Sequence, residues 1–308
     1  METMYKNFEG CDRFDLPEGI YRVTAGNGGE SFLIDGGEKV ALYDCGMAFC
    51  AKGLIENIER RIEKLGKTTV DYVFISHTHY DHIGALPYVI ERFKDVKIVG
   101  AKKAARVFKS EGARATMVRL GEAARRDFGN RDEADFKIKA DGLRVDLEVS
   151  DGDEVSLGEK KVRVYETKGH TDCSVSYMLE PDRVLFASES TGVLRAPELM
   201  HTAILKSFDE CIESSRKCEA LNPKRIVGNH YGAVPSFYND RYFKLFREEA
   251  FAERDLILQA KHEGKTLDET IAIHKKKYWS VARGRVQPEA AFDENAKYIV
   301  QHIFKNFD

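Results

Sequence analysis

Short apolar and β-branched runs, each closed by a glycine-bearing turn, set the pattern of the first part of the chain. Ile20-Tyr21-Arg22-Val23, Ser31-Phe32-Leu33-Ile34 and Val40-Ala41-Leu42-Tyr43 read as three strands. Gly26-Asn27-Gly28-Gly29 and Asp35-Gly36-Gly37 separate them and carry hairpin signals. Residues 51–65 switch to helical period, with Leu54, Ile55, Ile58, Ile62 and Leu65 on one face. Val70 to Ile75 predicts a strand, Pro87 sits in the first turn of a helix running through Phe93, and Val96–Val99 predicts another strand. Residues 101–127 read as one helix rich in Lys and Arg.

Strand patterning then returns at Phe136–Ile138, Val145–Val149, Val155–Leu157, Val162–Tyr165, Ser174–Leu179 and Val184–Phe186. A helix over 208–221 leads into the run 223–227. From about residue 235 only helical period remains. Phe292, Ala296, Ile299 and Ile303 form a buried stripe, and Thr266 with Glu269 makes a capping-box pattern. The expected organisation is an α/β domain over residues 1–235 and a helical extension over 236–308 that covers or flanks its site.

Composition narrows the class. The 308 residues are 43% hydrophobic, enough for a large core, and the net charge is −3. No basic stripe dominates, which speaks against a nucleic-acid partner. Six scattered cysteines without a CxxC pair read as free thiols in a reducing compartment. The N-terminal stretch has no apolar h-region and no later segment approaches a membrane span, so the expectation is a cytoplasmic protein with no membrane partner. Oligomeric state is not encoded in any pattern.

The chemistry concentrates in Ser76-His77-Thr78-His79-Tyr80-Asp81-His82, directly after the apolar run Val73-Phe74-Ile75. A helix would put His77 and His79 on nearly opposite faces, so the stretch reads as a strand end opening into a loop. There His77 and His79 converge on one divalent ion while Asp81 and His82 turn toward a second. The plainer alternative is a polar loop that happens to be rich in histidine. Three further strands end near a potential ligand: His170 after Tyr165, Glu189 after Phe186, and His230 after Val227. Ligands on loops at one sheet edge give a rigid site.

The motif His77-x-His79-x-Asp81-His82, followed by His170, an acid at 189 and His230, resembles the metallo-β-lactamase superfamily, matched in order from Asp44-Cys45-Gly46 across residues 20–232. The resemblance implies a four-layer αβ/βα sandwich with metals at one rim. It further implies that His77, His79 and His170 hold one metal, that Asp81, His82 and His230 hold a second, and that the acid at 189 bridges them. Most members carry Asp after Gly at the bridge; here the dipeptide is Ser188-Glu189, one methylene longer. Asp182, in the Pro181 turn, is a poor substitute. Asp44 is expected to support the metal loop, the alternative being a cap on the following helix. Cys173 stands where the common pattern is Thr-Pro-Gly.

The expected cofactors are two divalent metal ions, zinc first, with iron or manganese as alternatives. Two cations clamping a bridging hydroxide would attack a small ester, thioester or lactone. In overall plan the chain is similar to glyoxalase II-type thioesterases, acyl-homoserine lactonases and the quinolone-signal response thioesterase. A phosphodiesterase, or a ligand-sensing protein that keeps the metal site, is the alternative. Asp81 is a candidate proton acceptor and Tyr231 a candidate contact to a substrate oxygen. Arg195, Lys168 and Lys206 are weaker candidates for an anionic group.

Overall fold

The computed structural model describes residues 16–129, 136–280, 284 and 287–308. Cys11 and the N-terminal stretch on which the leader expectation rests lie outside the described residues. Two six-stranded sheets form the centre. The first runs in chain order: β1 (Ile20–Arg22), β2 (Phe32–Asp35), β3 (Val40–Tyr43), β4 (Tyr72–Phe74), β5 (Lys97–Ala101) and β6 (Leu147–Val149). β1 to β3 are antiparallel hairpins, and β3 to β6 are parallel. The parallel crossovers carry α1 (Ala51–Lys64), α2 (Tyr80–Ile83), α3 (Leu86–Arg92), α4 (Lys102–Lys109) and α5 (Glu111–Phe128).

The second sheet contains β7 (Glu154–Ser156), β8 (Lys161–Glu166), β9 (Val175–Glu180), β10 (Val184–Ala187), β13 (Arg225–Gly228) and β14 (Ala233–Val234), with β10 and β13 parallel. A separate hairpin, β11 (Val193–Ala196) with β12 (Leu199–His201), follows β10. The remaining helices are α6 (Phe208–Ala220), α7 (Asn239–His262), α8 (Leu267–Tyr278) and α9 (Glu289–Asn306).

Period-two alternation explains the layering. In β9, Tyr177 and Leu179 join the core between the sheets, while Met178 between them joins a second core on the opposite face. In β10, Phe186 faces inward and Leu185 and Ala187 outward; in β13, Val227 faces inward and Ile226 outward. Aromatic rings knit the sheets together, with Tyr43 and Phe74 of the first sheet 4.8 and 5.2 Å from Phe186 and Tyr177 of the second. The outward residues pack against Cys211 of α6, Tyr242 and Phe246 of α7, and Ile299 and Val300 of α9. The C-terminal helices therefore share a core with the second sheet.

Several local expectations are corrected. Phe136–Ile138 is not a strand: the Lys137 backbone exchanges both its hydrogen bonds with the Tyr88 hydroxyl, at 2.8 and 3.0 Å, instead of a neighbouring strand. The basic segment 101–127 is two helices. It breaks at Ser110, which has extended backbone and accepts from Ala113 N as the cap of α5. Its cations are largely exposed and several pair with acids, Arg114 with Asp141 and Arg125 with Glu122 among them. The β11–β12 hairpin was not anticipated. The capping box at Thr266 and Glu269 and the stripe Phe292, Ala296, Ile299 and Ile303 are present. No described helix is long and apolar enough to cross a membrane.

Candidate metal centre

Parallel strands point their C-terminal ends to one rim, and the histidines lie just beyond them. β4 ends at Phe74, and the irregular stretch 75–79 then carries His77 and His79. Asp81 and His82 fall in the single helical turn α2, whose first residue follows His79. β8 ends at Glu166, before His170. β10 ends at Ala187, and Glu189 opens a short 3-10 turn. β13 ends at Gly228, before His230. Two glycines are dictated by crowding. Gly169, at φ 120°, leaves no room for a Cβ, which would sit 2.5 Å from Cys211 N; a Cβ on Gly29 would meet His82 Nδ1 at 2.4 Å.

All seven expected ligands come together. His77, His79 and His170 form one compact group, and Asp81, His82 and His230 another, the ligand atoms within each lying within 4.8 Å of one another. Glu189 stands between them. Its Oε1 is 2.9 Å from His82 Nε2, 3.3 Å from His230 Nε2 and 3.6 Å from His77 Nε2, while Oε2 is 3.7 Å from His170 Nε2. Asp81 Oδ2 is 3.6 Å from His82 Nε2 and 3.7 Å from His230 Nε2. The Glu189 carboxylate thus reaches rings of both groups.

The opposite ring nitrogens are fixed by acceptors. His82 Nδ1 is 2.9 Å from Asp44 Oδ2, His170 Nδ1 2.7 Å from the Ala203 carbonyl, and His230 Nδ1 3.2 Å from the Gly28 carbonyl. Ser76 Oγ donates its proton to Asp44 Oδ2 at 2.7 Å, so it accepts from His77 Nδ1 at 2.9 Å. These contacts put the ring protons on the outer nitrogens and aim the Nε2 lone pairs at the centre. His79 differs, presenting Nδ1 toward His170 Nε2 at 3.0 Å.

Asp44 turns out to be a hub rather than a helix cap; α1 begins after Cys50. Its carboxylate also accepts from the Ser76 backbone N and from Asn229 Nδ2, at 2.8 and 3.1 Å. Asn229, buried beside His230, further donates to Ser76 Oγ and to Tyr43 Oη, both at 2.9 Å. The sequence reading gave Asn229 and Ser76 no role. Both adjoin a ligand, the one signal that could have singled them out.

Burial and mutual charge sort the titrating groups. Burial, reinforced by the His82, His79 and His170 rings, drives the His77 pKa well below its usual value. Burial, then His170, lowers His79 to about 3. Burial opposes charge on His82, yet Asp81 and the close carboxylates of Asp44 and Glu189 outweigh it and raise the pKa well above normal. His230 is likewise raised, by Glu189 against burial. Burial favours a neutral Glu189, but His170 and His230 prevail and hold its carboxyl well below the ordinary range.

A metal fits this donor set. Among the described residues His77 Nε2 is buried without a hydrogen-bond partner, an expensive state for an imidazole unless a cation faces it, and His82 Nε2, though 2.9 Å from Glu189 Oε1, does not meet it in hydrogen-bond geometry. His77 and His79 are already held neutral, the donor form that divalent metals require, and a bound ion would displace the proton that neighbouring carboxylates otherwise favour on His82 and His230.

A cavity opens onto the cluster, lined by His79, Asp81, His170, Glu189, His230 and Tyr231 together with residues of α7, α8 and α9. Tyr231 is buried and left-handed, at φ 62°. Arg195, Lys168 and Lys206 are not among the described lining residues; Lys168 pairs with Glu166 at 2.9 Å. Asp182 is bound to Lys160, away from the cluster. Cys173 is buried, with Sγ 3.3 Å from Thr171 Oγ1 and 3.5 Å from Thr78 Oγ1.

Comparisons with known proteins point one way. A family model described as the metallo-beta-lactamase superfamily matches residues 25–230. Hydroxyacylglutathione hydrolase of Bradyrhizobium sp. strain ORS 278 is 32% identical over 133 residues, 43% of this chain, and the match spans only 38% of that relative's length. A metallo-beta-lactamase fold-containing protein of Sulfurisphaera tokodaii is 26% identical over 185 residues, 58% of this chain and 68% of its own length. A solved structure, a metallo-beta-lactamase family protein of Thermus thermophilus, superposes with TM-score 0.65 over 94% of each chain at 17% identity, a likeness of fold alone.

Proposed function

Because this chain belongs to the metallo-β-lactamase superfamily, we propose that it is a dinuclear metal-dependent hydrolase of a small ester, thioester or lactone. The observation that carries the reading is Glu189, one carboxylate that lies within 3.7 Å of rings from both histidine groups. The relative named hydroxyacylglutathione hydrolase supports hydrolysis of an acyl group. Divalent ions, when bound, supply Lewis acidity and a water acidic enough to ionise near neutral pH. Zinc is the first choice, with iron and manganese also suited to imidazole and carboxylate donors.

The chain's own residues then divide the work. His77, His79 and His170 would hold one ion and Asp81, His82 and His230 the other, with Glu189 within reach of both groups. Asp44, through Ser76 and His82, keeps rings from both groups in the donor tautomer. Asp81, partly exposed to the cavity, accepts a proton from the attacking water. Tyr231 lines the same cavity and offers its hydroxyl to a substrate oxygen. The apolar wall of Met47, Val193, Met200, Phe292 and Ile299 takes the organic part of the substrate and excludes water.

The test is turnover of a panel of p-nitrophenyl esters, acyl thioesters, lactones and a phosphodiester by the purified, metal-loaded protein and its Asp81→Ala variant. Hydrolysis of an acyl compound that collapses in the variant is expected. Turnover of the phosphodiester alone would reassign the reaction, and no turnover at all would favour ligand sensing at a retained metal site.

A further inference from the structure

The helices that close the cavity carry a buried polar cluster to which the hydrolytic reading gives no task. Glu253 of α7 and His274 of α8 are 4% and 1% exposed and line the same cavity as Asp81, His170 and Glu189. His274 Nε2 donates to Glu253 Oε1 at 2.7 Å, and Thr202 Oγ1 donates to Glu253 Oε2. With a carboxylate on Nε2, that nitrogen carries the ring proton and Nδ1 is left to accept. Nδ1, itself buried, has no hydrogen-bond partner among the described residues. The ring is held in place between Tyr278, 4.7 Å away between centroids, and Phe292, stacked at 5.9 Å.

The cluster adjoins the metal centre. Thr202 reaches Glu253 with its side chain, and the carbonyl of the next residue, Ala203, accepts from His170 Nδ1. The cavity wall here includes the apolar Met200, Phe292 and Ile299, with Asn295 and Gln287 as further polar lining. An apolar pocket with a few convergent polar groups is the usual form of a recognition site. A pair that served only to pin α7 to α8 would have no reason to leave a buried acceptor unused on a residue that lines the cavity.

We propose that Glu253, His274 and Thr202 form a specificity subsite, in which His274 Nδ1 accepts a hydrogen bond from a hydroxyl or amide N–H on the part of the substrate away from the cleaved bond. Glu253 and Thr202 act as positioning residues that hold the imidazole in its accepting orientation. The proposal rests on the hydrolase reading for the reaction but not for the binding.

The experiment compares acyl thioesters of N-acetylcysteamine, in a series of chain lengths, with their ω-hydroxy and ω-carboxy counterparts, and measures binding of the matching thioethers by calorimetry. The expected result is a kcat/KM at least about tenfold higher for an ω-hydroxy thioester than for its plain counterpart at one chain length, because a site built to bond a hydroxyl rejects the analogue without it. In His274→Phe that ratio falls to about one, and in Glu253→Gln it shrinks. Hydrolysis of all thioesters with no preference overturns the subsite while the hydrolase reading stands, as does a preference for the ω-carboxy series. If no thioester is hydrolysed, tighter binding of the ω-hydroxy thioether, lost in His274→Phe, upholds the subsite without the reaction. Equal binding by the wild-type protein overturns it even if the variants fail to fold.

Discussion

The two sheets contribute to the candidate metal centre in opposite ways. The first sheet delivers His77, His79, Asp81 and His82 from one connection, between β4 and α3. The second delivers His170, Glu189 and His230 from three separate connections, after β8, β10 and β13. Of the contiguous residues, His77 and His82 are braced by side chains, through Ser76 and Asp44, with Asn229 behind them. Of the scattered ligands, His170 and His230 are braced by backbone carbonyls of Ala203 and Gly28. A dense motif needs side-chain partners to orient neighbouring rings in different directions, whereas a ligand on its own loop takes its orientation from the nearest main chain.

That contrast can be broken or sharpened by substitution. The largest effect is expected from Asp81→Ala, which removes a ligand and the proton acceptor together and lowers kcat/KM on the order of 10³-fold. Glu189→Ala tests the scattered set: metal analysis should fall from about two ions per chain to about one, and unchanged content would remove Glu189 from the ligands. Asp44→Asn attacks the bracing of the contiguous set and should weaken metal affinity about 10–100-fold, read by competition with a chelator. An equal loss from a change at Gly28 or Ala203 would erase the distinction between the two kinds of support.

Smaller effects concern stability. Asn229→Leu leaves Asp44, Ser76 and Tyr43 short of a donor and should cost about 1–3 kcal/mol in urea unfolding. The metal-free protein should also respond to pH through His79. Its pKa is about 3 when folded and near 6.5 when unfolded, so between these values the unfolded chain binds the extra proton. The stability that neutral His79 contributes is present above pH 6.5 and is lost as pH falls toward 3; His79→Leu should flatten that part of the unfolding profile. An unaltered slope would mean that the ring is solvated in the metal-free state.

Much of this was legible in the chain. Seven candidate ligands could be named because strand patterns ended beside them, because HxHxDH is a dense, ordered motif, and because their order resembles a known family's. The helical stripe of α9 and the cap at Thr266 were legible for the same reason, since both are local patterns with fixed spacing. The basic segment misled at Ser110, where a side-chain cap competes with a continuous helix. Residues 136–138 misled because a β-like run found a tyrosine hydroxyl instead of a strand. Glu253 and His274 were invisible. They are 21 positions apart on different helices, and neither belongs to a motif.

The sequence by itself determined which residues can bind metal and in what order the strands present them, because ligand type and period-two alternation are local properties. Tertiary structure decided that Glu189 with its longer side chain still reaches both histidine groups, as the resemblance implied for an acid at that position, and that Asp44 orients rings rather than caps a helix. It also decided that the C-terminal helices share the outer core of the second sheet and bring a carboxylate–imidazole pair to the cavity beside the metal centre. Such contacts join positions far apart in the chain, and only packing determines which of them meet.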